Sequence, residues 1–229
     1  MSTVQAVHSR VRPFAKATRL AAVTAAGLSA AAVVIGVAPS AAAVGCSDVD
    51  VVFARGTNEP TGIGRVGQAF VDALRGQVGY RSVTTYAVNY PATYDFAAAA
   101  EGATDATTHV VTMAQACPGT RIVLGGFSQG AAVVDMLAGI PPLGDKLGSI
   151  ANPLPGSVAG NVAAVAVFGN PATKFGNPVS ASRLFGGRAI DLCTNGDPIC
   201  SKGRNPFAHS NYVQDGLTNQ AASFVAARV

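Results

Sequence analysis

The 229-residue chain contains no tryptophan, only three histidines, and charged side chains at just 12% of its positions. Each shortage excludes something. With so few histidines, and four cysteines of which no pair has zinc spacing, a metal centre built from side chains is not expected. Sparse charge beside 49% hydrophobic residues marks a chain able to bury a sizeable core. Internal repeats and low-complexity linkers are also missing, so a second domain is not expected.

The excess of positive charge belongs to the leading segment. Residues 1–43 carry Arg10, Arg12, Lys16 and Arg19, then an apolar stretch from Leu20 to Ala38, then Ala41-Ala42-Ala43. This order of basic, apolar and small residues predicts a secretory signal peptide with an A-x-A cleavage site rather than a transmembrane anchor. Its removal takes four of the 16 basic residues and none of the 12 acidic ones, which leaves residues 44–229 formally neutral. Nothing then calls for nucleic acid or an anionic membrane as partner, and a monomer outside the cell is expected.

All four cysteines lie in the exported part, which suits two disulfides. Four cysteines permit three pairings. The most economical joins Cys193 to Cys200 across a short loop and Cys46 to Cys117 across a long one.

Strand-like and helix-like runs alternate along residues 44–229. Strands are expected at Val49–Ala54, Val83–Tyr90, around Ile122–Leu124, at Val162–Phe168 and at Arg188–Cys193. Helices are expected at Val66–Val78, Phe96–Ala116, from just after residue 128 to about Ala138, and at Tyr212–Arg228. Residues 139–161, rich in glycine and proline, read as an irregular connection. Five strands alternating with helices predict one α/β domain: a three-layer α/β/α sandwich around a mainly parallel sheet.

One motif carries chemistry. Gly126-Phe127-Ser128-Gln129-Gly130 follows the apolar run Ile122–Leu124 and precedes a helix-favouring stretch. This is the G-x-S-x-G nucleophile elbow, whose glycines let strand and helix fold close enough to present the serine hydroxyl. A serine hydroxyl needs a base, and the base needs an acceptor. His8 lies in the leader and His109 reads as an ordinary helix residue, which leaves His209 in a loop after the last strand. Among Asp135, Asp145, Asp191 and Asp197, only Asp197 follows the last strand, and it falls between Cys193 and Cys200. The order Ser128, Asp197, His209 is the chain order of an α/β-hydrolase. Oxyanion donors are expected from the N–H of Gln129 and from the Arg55-Gly56-Thr57 loop, with Thr57 contributing.

These residues together resemble the cutinase family of serine esterases. The likeness spans Cys46 to Arg228 and rests on Val51-Val52-Phe53-Ala54-Arg55-Gly56-Thr57, Asn89-Tyr90-Pro91-Ala92, the elbow, and Cys193-Thr194-Asn195-Gly196-Asp197-Pro198-Ile199-Cys200 with His209. It implies a lidless α/β-hydrolase that cleaves carboxylic esters through an acyl-enzyme without cofactor. It also implies the triad Ser128, Asp197 and His209, the oxyanion pair Thr57 and Gln129, and the two disulfides above. Tyr94, Phe96, Pro206 and Phe207 are expected as the apolar wall of the crevice. That wall, with tryptophan absent, points to acyl chains ahead of a sugar surface. Acyl esters, cutin-type polyester and lipid are the substrates implied, with acetylated xylan or a catalytically silent surface protein as alternatives.

Overall fold

The computed structural model describes residues 45–145 and 151–229, so the expected leader at 1–43 lies outside the described residues. Five parallel strands form one sheet in the order β2-β1-β3-β5-β6. They are β1 (Val49–Ala54), β2 (Val83–Ala87), β3 (Arg121–Phe127), β5 (Val162–Phe168) and β6 (Ala189–Leu192). The short extended segment β4 (Pro142–Asp145) stands apart from this order. Every residue of β1 and β5 is buried, as expected for strands covered on both faces.

Helices cover both faces. The face of α2 (Ala99–Ala116) and α3 (Gln129–Leu137) encloses one apolar cluster that includes Leu124, Val133, Val165 and Phe185. The face of α1 (Gly64–Arg75) and α6 (Leu217–Ala226) encloses the other, centred on Phe53, Phe70 and Phe168, whose ring centroids lie 5.9–6.3 Å apart. Two single turns, α4 (Gly156–Ala159) and α5 (Pro171–Lys174), complete the helical layers. The three-layer α/β architecture is the expected one.

The first helix runs Gly64–Arg75 rather than Val66–Val78 and the last strand Ala189–Leu192 rather than Arg188–Cys193, and four further differences are larger or have a visible cause. The second strand stops at Ala87 rather than Tyr90, because the Tyr90 side chain turns inward to meet Arg55. Residues 96–98 form a 3-10 turn capped by Asp95, so α2 starts at Ala99 rather than Phe96. The last helix starts at Leu217 rather than Tyr212, because the Tyr212 hydroxyl is held by Asp197 and the left-handed Gly216 sets the new start. The stretch 139–161 is not wholly irregular, since β4 and α4 fall within it. The Cys46–Cys117 and Cys193–Cys200 disulfides are both formed.

Candidate active site

The strands of a parallel sheet deliver their following loops to one edge, and the crevice opens where the strand order reverses. Here β1 and β3 are neighbours at that reversal. Their carboxyl ends release Arg55-Gly56-Thr57 and Ser128 side by side.

Ser128 has φ 55° and ψ −115°, a conformation that costs a non-glycine residue about 1–3 kcal/mol. Its flanking glycines are sterically required. A Cβ on Gly126 would overlap the backbone of Gly130, and one on Gly130 would overlap the carbonyl of Ala54. The backbone N–H of Ser128 donates to the Phe168 carbonyl at 2.8 Å, which anchors the turn to β5.

His209 sits in a 3-10 segment (Pro206–Ser210) whose first turn is capped by Asn205. Its Nε2 lies 2.8 Å from Ser128 Oγ and its Nδ1 lies 2.7 Å from Asp197 Oδ2. The ring stacks on Phe127 at 4.9 Å and meets Tyr212 edge-on at 6.1 Å. Asp197 is fully buried. Burial alone would raise its pKa, but hydrogen bonds from His209, from the Tyr212 hydroxyl and from the Ile199 N–H prevail and hold it below the usual carboxylate value. The anion can only accept, so Nδ1 of His209 carries the proton and Nε2 is left to accept from Ser128. Burial, followed by the hydrogen bond to Asp197, raises the Tyr212 phenol well above its ordinary pKa, so it stays a donor.

Thr57 Oγ1 donates to Gln129 Oε1 at 3.4 Å, and Gln129 Nε2 donates to the Thr93 carbonyl at 2.8 Å. The buried Gln129 side chain thus links the two loops that flank the serine. The backbone N–H of Gln129 opens α3, where the helix dipole favours negative charge.

A cavity of about 180 Å³ adjoins Ser128 and Gln129, walled by Phe96, Leu143, Pro171, Phe175, Pro198 and Ile199. Phe96 is the expected wall residue found there. Tyr94 and Phe207, at 77% and 80% exposure, and the exposed Pro206 are not part of that lining. They are exposed side chains, whereas the wall comes from Phe96, from Leu143 of β4, and from the segments that follow β5 and β6. Sequence reading missed Pro171 and Phe175, which follow β5 at the same sheet edge and could have been placed there by topology. Lys174, also on this lining, donates to the Pro198 carbonyl at 2.7 Å.

The rejected candidates have other partners. His109 Nε2 lies 2.7 Å from Asp50, and its ring stacks on Tyr86 at 3.7 Å, toward the opposite end of the sheet. Asp191 accepts from Asn170 and from the N–H groups of Val179 and Ser180. Asp135, buried against Asn170, has its pKa raised well above the ordinary value by desolvation. Among the described residues, Cys193, Asp197 and Cys200 bring ligand-type atoms within 4.8 Å of one another, but both sulfurs are spent in the disulfide.

An elbow serine in line with a histidine and a buried carboxylate, at the carboxyl edge of a parallel sheet, defines an α/β-hydrolase. The sequence profile described as Cutinase matches residues 45–229, and the chain belongs to the cutinase family. It is 53% identical over 216 residues to Phospholipase Culp4 of Mycobacterium tuberculosis, with 93% of each sequence covered. It is 53% identical over 196 residues to Probable carboxylesterase Culp3 of the same organism, covering 83% of this chain and 72% of that protein. A solved Trichoderma reesei cutinase in complex with a phosphonate inhibitor superposes with a TM-score of 0.63 at 32% identity, over 80% of this chain and 76% of that one. The chain is a carboxylic ester hydrolase.

Proposed function

We propose that this protein is a secreted serine esterase that cleaves short- to medium-chain acyl esters through an acyl-enzyme on Ser128. The observation that carries the reading is the unbroken hydrogen-bond line from Asp197 through His209 to Ser128, opening on an apolar cavity. Ser128 Oγ attacks the ester carbonyl while His209 Nε2 takes its proton. The N–H groups of Thr57 and Gln129 receive the oxyanion, and His209 returns the proton to the departing alcohol. Water, deprotonated by His209, then attacks the acyl-enzyme and releases the acid. Asp197 stays anionic throughout and stabilises the imidazolium.

Export is supported by the basic, apolar and A-x-A pattern of residues 1–43 and by the two disulfides. Among the described residues no helix is long and apolar enough to cross a membrane. The apolar crevice favours an acyl chain over an acetylated sugar. A second reading, anionic phospholipid, draws on the relative named Phospholipase Culp4 and on Lys174, a cation at the crevice wall.

Initial rates on p-nitrophenyl esters from acetate to palmitate test the proposal. Rates should peak between butyrate and octanoate, and Ser128→Ala should lower kcat by roughly 10⁵-fold or more. A peak at acetate would overturn the acyl-chain reading, and an active Ser128→Ala would overturn the nucleophile.

A further inference from the structure

Arg55 is a guanidinium only 6% exposed, and it directs its hydrogen bonds to backbone carbonyls. Its Nε donates to the Glu59 carbonyl at 2.9 Å, and its Nη2 donates to the Tyr90 carbonyl at 2.7 Å. Nη1 reaches the Val88 carbonyl at 3.5 Å. Tyr90 answers with its hydroxyl, which donates to the Arg55 carbonyl, and its ring lies 5.1 Å from the guanidinium carbon. Burial raises the pKa of this phenol, so the hydroxyl stays a donor. The two segments are tied again where the Asn58 N–H donates to the Ala92 carbonyl at 2.7 Å. Both residues of that tie are left-handed without being glycine, Asn58 at φ 59° and Ala92 at φ 53°. Such backbone persists only when its surroundings over-determine it.

The consequence concerns two successive peptide planes. In the Arg55–Gly56 unit the carbonyl is held by Tyr90, and the Gly56 N–H donates to Glu59 Oε2 at 2.7 Å. In the Gly56–Thr57 unit the carbonyl accepts from the Glu59 N–H at 3.2 Å. A trans peptide is planar, so fixing its carbonyl fixes its N–H on the opposite side. The direction of the Thr57 N–H is therefore set by Arg55, Tyr90 and Glu59, none of which needs to touch substrate.

We infer that Arg55, Tyr90 and Glu59 form a clasp that aims the Thr57 N–H at the oxyanion, and so act as positioning residues for the transition state. The inference rests on the proposed role of Thr57 and deepens it. An N–H aimed in advance costs no reorganisation when charge develops, whereas a misdirected one forfeits the stabilisation. The effect belongs to the transition state, so it should fall on kcat and leave KM nearly unchanged.

The test uses the whole enzyme and p-nitrophenyl butyrate. Tyr90→Phe removes one hydroxyl and should lower kcat about tenfold with KM within about twofold. Arg55→Gln should lower kcat about 100-fold, the scale of losing one oxyanion donor, and Arg55→Lys should restore part of it. Inactivation by a p-nitrophenyl phosphonate, which develops charge at the same place, should slow by the same factors. If Arg55→Gln does not fold, Tyr90→Phe and Glu59→Gln decide the matter. Unchanged kcat and unchanged inactivation in a Tyr90→Phe protein with a lowered Tm would make the clasp structural only and overturn the inference. Ser128-dependent turnover by the wild type is measured first, so failure of the esterase reading is recognised separately from failure of the clasp.

Discussion

On one side of Ser128, residues 55–59 are bound to residues 88–92 by hydrogen bonds around a buried guanidinium. On the other side, residues 193–200 are closed by a covalent disulfide that encircles Asp197. In the proposed mechanism the first region aims the Thr57 N–H, and directional bonds on the neighbouring peptides are what hold it. The second has to keep a carboxylate buried and charged, and a short covalent loop limits how far that carboxylate can retreat toward water. If the proposed roles hold, the difference teaches that the two halves of the site fail by different routes. Changes in hydrogen bonding should injure the first, and reduction should injure the second.

Among the changes that separate the two sides, the largest expected effect comes from opening the loop around Asp197. Cys193→Ser with Cys200→Ser should lower kcat on p-nitrophenyl butyrate at least 100-fold, toward the roughly 10⁴-fold cost of a misoriented triad histidine. Full activity in that variant would show that Tyr212 and the Ile199 N–H position Asp197 unaided, and the contrast between the two sides would collapse. Removing the other disulfide makes the control. Cys46 and Cys117 are 71 residues apart and tie the beginning of the domain to the end of α2. Their loss should lower stability by about 4 kcal/mol in the chain-entropy picture. The midpoint of chemical unfolding reports this, and kcat at 25 °C should be unchanged.

A smaller effect should follow from Tyr212→Phe. Asp197 has a depressed pKa in the folded state, so its stabilising contribution is present above the unfolded carboxylate value near 4 and is lost as pH falls through the folded value. Removing the Tyr212 hydroxyl takes away one of the bonds that depress it. The acid-unfolding midpoint, followed by circular dichroism, should therefore move to higher pH. A midpoint that stays put would assign the depression to His209 and the Ile199 N–H alone.

The sequence was most legible where the constraint is local. Val49–Ala54 and Val162–Phe168 appear with their expected limits, because strands buried on both faces must be continuous apolar runs. Gly126 and Gly130 announced the elbow, because no other residue fits that close approach. Histidine scarcity led to His209, which does meet Ser128 and Asp197. Legibility ended where distant segments meet. Arg55 and Tyr90 are 35 residues apart, and nothing in either neighbourhood announces the other. The crevice wall draws Leu143, Pro171 and Ile199 from β4, α5 and the loop after β6, whereas Tyr94 and Phe207, aromatic and near the motifs, are exposed and outside the lining. Tyr212 looks like the first residue of an amphipathic helix, yet its hydroxyl is taken by Asp197 and the helix starts later.

The most direct measurement is the site of covalent attachment after incubation with a p-nitrophenyl alkylphosphonate, read by peptide mass spectrometry on wild-type protein and on His209→Ala. The account predicts one adduct per chain, on the hydroxyl of Ser128, formed far more slowly when His209 is removed. Attachment at another residue, or ester turnover that continues with Ser128 unmodified, would contradict it.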